Sequence, residues 1–421
     1  MLTPRRFAFL IAACIVTYII FTVLNSHAHG SWETIPQVVG LGETYPSADE
    51  IASGQNILPD LRTEQPKPPK HKDVFPPGQT KPSGSLYTRG IVMARTKEED
   101  VSWIDEELGD VMAPNGPFER YIYVADDQTA PLHPPKNKGH ESMIYLTYII
   151  DHYEKLPDVS LFVHSDRWTW HNNELFSQDL SAMIRFLSPE RVTREGYMNL
   201  RCHWDPGCPD WIHPGALKED SRKKEETYIA EYWMQLYPME PIPSVLAQAC
   251  CAQFAVSRER ITAIPRERYI YLRDWLLRTN LRDSMSGRFF EYTWQYLFTG
   301  NSVSCPDMHV CYCDGYGFCF GGKGEYNHWF ELRYELEEYE AELKQWTKQQ
   351  ELLRTAQRQG LVDEGAELAI PVFGRDKYLE DKIADLEDEL RTLKEDAFVR
   401  GGWPEVRAAE VGREWKEGDG F

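Results

Sequence analysis

Between residues 86 and 300, short apolar runs alternate with stretches whose apolar positions recur every three or four residues. "RGIVMAR" (89–95), "RYIYVAD" (120–126) and "VSLFVHS" (159–165) are brief and rich in β-forming residues, and they read as buried strands. Helical spacing lies between them. "EEDVSWIDEEL" (98–108) puts Val101, Ile104 and Leu108 on one face. "KGHESMIYLTYIIDHY" (138–153) has a broad apolar face formed by Ile144, Leu146, Tyr148, Ile149 and Tyr153. "NELFSQDLSAMIRFL" (173–187) predicts a third helix. Alternation at this length predicts parallel strands joined by right-handed crossovers, a Rossmann-like α/β half with flanking helices. Further on, "CCAQFAVSRERI" (250–261) predicts another buried strand running into a turn, and 266–281 and 287–300 predict helices.

The last hundred residues follow a different pattern. Leu332, Leu336, Tyr339, Leu343 and Trp346 alternate four and three apart, as do Leu379, Ile383, Leu386, Leu390 and Leu393. Two such seams predict either a helical hairpin within the chain or a coiled coil that makes a homo- or hetero-oligomer through 325–400. Residues 325–421 hold 25 acidic and 14 basic residues, about half of the net charge of −20, which fits a solvated helix face. That overall charge argues against a nucleic-acid partner, because phosphate binding needs a basic face.

At the other end, residues 7–24 are uncharged, largely apolar and preceded by Arg5 and Arg6. A run of this length just spans a bilayer core, and its basic flank predicts a cytoplasmic N-terminus. The expected topology is single-pass type II, with the bulk of the chain in the lumen of the Golgi or endoplasmic reticulum. If Ser26-His27-Ala28 is a cleavage site instead, the chain is secreted. Seven prolines between Pro59 and Pro82 mark 25–85 as a solvated stem. The expected division is therefore 1–24 stub and anchor, 25–85 stem, 86–320 α/β domain with a Cys-rich end, and 321–421 acidic helical tail.

Eight of the nine cysteines lie beyond the apolar segment. Cys202 and Cys208 enclose a short Pro/Gly loop and are expected to pair. Cys305, Cys311, Cys313 and Cys319 sit close together beside His309, but without paired CxxC knuckles, so disulfides are expected before zinc.

The candidate chemistry gathers at strand ends, where ligands bind in open α/β sheets. His164 and Asp166 follow the third strand and are candidate ligands for Mn2+ or Mg2+, with Arg167 as a rival partner for Asp166. Arg95 closes the first strand, and Asp126 or Asp127 closes the second, where an acid can hold a ribose or base. Gly139 and His140, with Lys138, stand at a helix start suited to a phosphate, while Glu141 fits ordinary capping. Glu291 lies among Phe289, Phe290, Tyr292 and Trp294, surroundings that raise a carboxyl pKa towards that of a general base. Ser257 lacks a nucleophile elbow. His171 and His203 read as packing or loop residues.

"IVMARTKEEDVSWI", "NKGHESMIYLTYIIDHYEKLPDVSLFVHS", "CCAQFAVSRERI" and "GRFFEYTWQYLF" together resemble the largely fungal domain-of-unknown-function family 3431 over about 89–300. That family is itself similar to GT-A-type glycosyltransferases, which implies a GT-A-like mixed sheet, a metal-binding acidic motif after a central strand and acceptor-side residues later in the chain. Carried over by position, His164–Asp166 falls at the metal motif and Glu291 on the acceptor side. The motif reads His-Ser-Asp rather than Asp-x-Asp, a departure that leaves room for a metal-independent or inactive relative. The expected function is transfer of a sugar from a nucleotide-sugar donor to a glycan or protein acceptor. Two rivals stand beside it. One is a non-catalytic lumenal scaffold that recruits partners through its acidic tail. The other is a metal-dependent hydrolase built on His164, Asp166 and His171.

Overall fold

The computed structural model describes residues 75–112, 114, 116–359 and 371–421. The candidate anchor at 7–24 and most of the stem lie outside these residues. Among the described residues, no helix is long and apolar enough to cross a membrane.

The fold is mixed α/β, built on a five-stranded sheet. Strands β1 (Arg89–Arg95), β2 (Phe118–Val124) and β3 (Val159–Val163) are parallel, with Met93 paired to both Ile122 and Val163. Two further strands complete it: β4 (Tyr197–Asn199) at one edge and β6 (Phe254–Ser257), which runs antiparallel between β3 and β4. The spatial order is β2-β1-β3-β6-β4, so one reversed strand interrupts the all-parallel arrangement that the alternation predicts. A small parallel pair, β5 (Ala247–Gln248) and β7 (Val303–Ser304), lies apart from the main sheet.

Both faces of the sheet are covered, which explains why its strands read as continuous apolar runs rather than alternating ones. Val92, Phe162, Phe254 and Val256 enter one core, and Ile91, Met93, Leu161, Val163 and Ala255 enter the other. The first core is closed by helices α2 (Glu141–His152), α5 (Ile229–Leu236), α7 (Arg266–Arg278), α8 (Asp283–Glu291) and α9 (Trp294–Thr299). Residues 142–150 of α2 are all buried, so this helix is the centre of that layer. The second core is closed by α1 (Trp103–Leu108), α3 (Leu180–Phe186), α4 (Pro189–Glu195), α10 (Met308–Tyr316) and the acidic tail.

That tail is a hairpin of α11 (Lys323–Arg358) and α12 (Arg375–Gly401), followed by the short α13 (Pro404–Glu410). Its base belongs to the fold. Trp329, Phe330, Leu336, Leu386 and Leu390 join the second core, Trp329 Nε1 donates to Leu390 O at 3.0 Å, and Cys319 N donates to Ala397 O at 2.9 Å. The two seams pack against each other along this hairpin.

Several boundaries move. The 173–187 helix keeps only α3 in α form, because Asp179 caps it by accepting from Ser181 N at 2.9 Å. The predicted helix over 287–300 breaks into α8 and α9. The apolar run at 250–261 shortens to β6, since Ser257 Oγ accepts from Arg260 N and caps α6 (Arg258–Thr262). Residues 75–88, the end of the stretch read as stem, lie against the domain. Arg260 sits over the Phe75 ring, Gly78 N donates to Arg194 O at 2.8 Å, and Lys81 Nζ reaches Asp158 Oδ2 at 2.6 Å.

All eight cysteines among these residues are in disulfides, but Cys202 and Cys208 do not pair with each other. Cys202 bonds Cys311 and Cys208 bonds Cys305, each bridging about a hundred residues, while Cys313 bonds Cys319 and Cys250 bonds Cys251. The loop around Cys202 and Cys208 is held against the Cys-rich segment instead of closing on itself. The zinc reading falls with this pairing. Among the described residues the one group of three close metal-ligating atoms is Cys313, Cys319 and Glu410, and both of its sulfurs are already bonded.

Asp314 ties α10 to α4 in the second layer. Its carboxylate is 2 % exposed and receives Arg191 Nη1 and Arg194 Nη2, each at 2.7 Å. Removing one partner of a buried ion group leaves charge without compensation. Asp314→Ala should cost about 3–5 kcal/mol of stability in urea denaturation, whereas a loss below about 1 kcal/mol would show that Arg191 and Arg194 find other partners.

Candidate functional site

The sheet's carboxyl edge carries a cavity of about 50 Å3, built from four parts of the chain. His164 follows β3 directly. Its backbone N–H donates to Gln253 Oε1 at 3.2 Å, and Gln253 Nε2 donates to Asn172 Oδ1 at 2.9 Å. Asn172, fully buried, also donates to the carbonyls of Arg167 and Gln178. This chain of amides folds the segment after β3 back on itself and sets His171 beside His164, with their Nδ1 atoms 3.2 Å apart. Trp170 packs on the His171 ring, and both line the cavity.

The second part is the start of α2, where Gly139 and His140 both have positive φ, 66° and 51°. A Cβ at Gly139 would meet Leu276 Cδ1 at 2.7 Å, so the turn needs glycine twice over, for conformation and for room. Gly287 leaves space in turn for the His140 ring. His140 and Glu141 line the cavity from this side.

The turn before β6 supplies the third part. Cys250 and Cys251 are bonded neighbours, Cys251 and Ala252 have positive φ, and Cys251 N–H donates to Glu291 Oε1 at 2.8 Å. The fourth part is α8, which contributes Ser284, Arg288 and its last residue, Glu291.

Burial sets the electrostatics. It raises the carboxyl pKa of Glu141 to about 7. Burial also raises Glu291 to about 7, helped by the charge of Glu141 and opposed by Arg288. Two acids facing one low-dielectric space hold their protons to near-neutral pH, which suits general acid–base work. Burial lowers all three imidazoles, His164 to about 4 and His171 to about 2, with His140 adding to the shift of His164 and His164 to that of His171. They are neutral at pH 7. Each keeps a buried Nε2 with no partner in the protein.

The remaining candidates lie outside this cluster. Asp166 is exposed and does not line the cavity, and Arg167 pairs with Asp179 and Glu107 rather than with it. Asp126 accepts from Lys97 N at 2.9 Å. Asp127 accepts from Thr129 and meets Lys97 Nζ at 3.1 Å, and the Thr129 hydroxyl holds its pKa down to about 2. These two acids join the loops after β1 and β2. Arg95 Nη1 donates to Glu99 O at 2.7 Å within its own loop. Lys138 faces Leu281 O and Asp283, so its charge is committed to the start of α8. His203 packs against Tyr312 and Phe330 in the core.

Of the nominated residues, His140, His164 and Glu291 come together, with Gly139 shaping the turn. His171 joins them as the hydrolase rival had grouped it with His164, though without Asp166, while Glu141 and the Cys250–Cys251 pair had not been expected there. The donors suit a transition ion better than Mg2+, which prefers oxygen ligands.

The profile of a family described as "Protein of unknown function (DUF3431)" matches residues 91–314, which includes every part of this cavity. No curated protein and no solved structure matches the chain.

Because its folded pKa is raised, Glu291 holds a proton that the unfolded chain releases above about pH 4.5. Stability from this group is therefore present below the unfolded value and lost as pH rises through about 7. Glu291→Gln cannot ionise and still offers an oxygen to Cys251 N–H. It should lie within about 1 kcal/mol of the wild type at pH 5 and exceed it by about 3 kcal/mol at pH 8 in urea denaturation, from about 1.4 kcal/mol per pKa unit. A difference that does not change with pH would refute the buried-acid assignment.

Proposed function

The chain belongs to the DUF3431 family of proteins of unknown function, and we propose that it is an enzyme of glycosyl transfer working at the carboxyl-edge cavity. The observation that carries this reading is the meeting of Glu141, Glu291 and three neutral imidazoles at the one edge where α/β sheets take ligands. GT-A enzymes place metal chemistry after a central strand and acceptor chemistry later in the chain. Here His164 follows the central strand β3, and Glu291 approaches from α8.

In this mechanism the Glu291 carboxylate takes the proton of an acceptor hydroxyl. The acceptor oxygen bonds the anomeric carbon as the bond from that carbon to the donor phosphate breaks, and nucleoside diphosphate leaves with the electron pair. The nucleotide would extend from the cavity along the edge towards the loops joined by Asp126 and Asp127. Four disulfides support an oxidising, lumenal compartment for the domain. A type II anchor at 7–24 accords with that placement.

The test is release of nucleoside diphosphate from a panel of nucleotide sugars with Mn2+ and glycan or protein acceptors. At least one donor should turn over, and Glu291→Gln should lower its rate about 100-fold or more, the usual contribution of a positioned base. No turnover of any donor favours the scaffold reading, and an undiminished rate in the variant removes Glu291 from the reaction.

A further inference from the structure

We infer that His164 and His171, not His164 and Asp166, form a binding site for a divalent transition-metal ion whose remaining coordination positions open into the cavity. The geometry comes first. The two Nδ1 atoms stand 3.2 Å apart, and two imidazole nitrogens bound to one zinc at about 2.0–2.1 Å in tetrahedral array lie roughly 3.4 Å from each other. The rings are steeply inclined, at 76°, so they do not stack on one another.

Preorganisation is the second argument. Neither ring is held by a hydrogen bond from its own Nε2, both of which are buried without a protein partner. Their positions are set from the backbone: Gln253 and Asn172 fix the two ends of the loop, and Trp170 packs on His171. A loop closed by buried amides brings the two imidazole nitrogens within one hydrogen bond of each other and holds them there before any ion binds.

The third argument is what the site lacks. No third protein ligand atom lies close enough to form a closed group of three, among the described residues. Two nitrogen ligands beside a cavity leave the rest of the shell to water and substrate, one protein ligand fewer than a catalytic zinc centre usually has. Asp166 cannot supply the missing ligand from its exposed position outside the cavity. Nitrogen donors select Zn2+, Co2+ or Ni2+ over Mg2+. The inference stands apart from glycosyl transfer, because its test reads metal binding without turnover.

Titration of the purified protein with Co2+, followed by its visible absorption, should show one bound ion that Zn2+ displaces and Mg2+ does not. His164→Ala and His171→Ala should each weaken Co2+ binding at least tenfold, and Asp166→Ala should leave it unchanged. Circular dichroism confirms that each variant is folded before titration. If a histidine variant does not fold, the wild type carries the test: Zn2+ should protect His164 and His171 from diethyl pyrocarbonate, read by peptide mass. No Co2+ uptake, uptake indifferent to His171→Ala, loss in Asp166→Ala, or no Zn2+ protection would each overturn the site.

Discussion

Burial of both faces of the five-stranded sheet is the constraint on which the rest of the structure depends. With helices on one side and the α11–α12 hairpin on the other, the inner strands β1, β3 and β6 have no solvent-exposed position. Polar chemistry is displaced to the strand ends, and at the carboxyl edge it meets low-dielectric surroundings on three sides. Glu141 and Glu291 retain their protons there because ionising either one costs solvation and repels the other. The histidines stay neutral for the complementary reason. The protonation pattern of the cavity thus follows from how completely the sheet is covered.

Long-range ties keep that edge in place. Asp158, at the start of β3, receives Lys81, Thr88 and Arg258, which joins the segment before β1 to the segment after β6. Cys202–Cys311 and Cys208–Cys305 bind the middle of the chain to the Cys-rich segment. The Cys250–Cys251 turn then delivers a backbone N–H to Glu291, so the acid's position is set by the residues leading into β6. Ties of this kind bridge tens to hundreds of residues, and each closes a loop that would otherwise carry large conformational freedom.

Much of the fold was legible because its central elements have strong local signatures. β1, β3 and α2 are strongly apolar through their centres, and the two tail seams repeat cleanly. β4 was not legible, being three residues long, and the reversal of β6 is a pairing choice that periodicity does not encode. The site was legible in part. His164 and Glu291 stand out by strand position and aromatic surroundings. His171 read as a loop residue because what turns it inward is Gln253, 82 residues further on, through Asn172. Glu141 read as a cap for the same reason: its burial comes from the packing of α7 and α8 on α2, not from its own neighbours. The adjacent cysteines at 250–251 were visible but were read as part of a strand, whereas their bond and positive φ make a turn.

The central claim is that this edge holds two acids poised near neutrality in one cavity. Carbon-13 NMR of glutamate carboxyl groups, assigned with Glu141→Gln and Glu291→Gln and followed from pH 4 to 9, tests it most directly. The account predicts that the pair titrates with apparent values near 7 and that neutralising Glu141 lowers the value at Glu291. Titration of both carboxyls at the ordinary glutamate value of about 4.3 would contradict it.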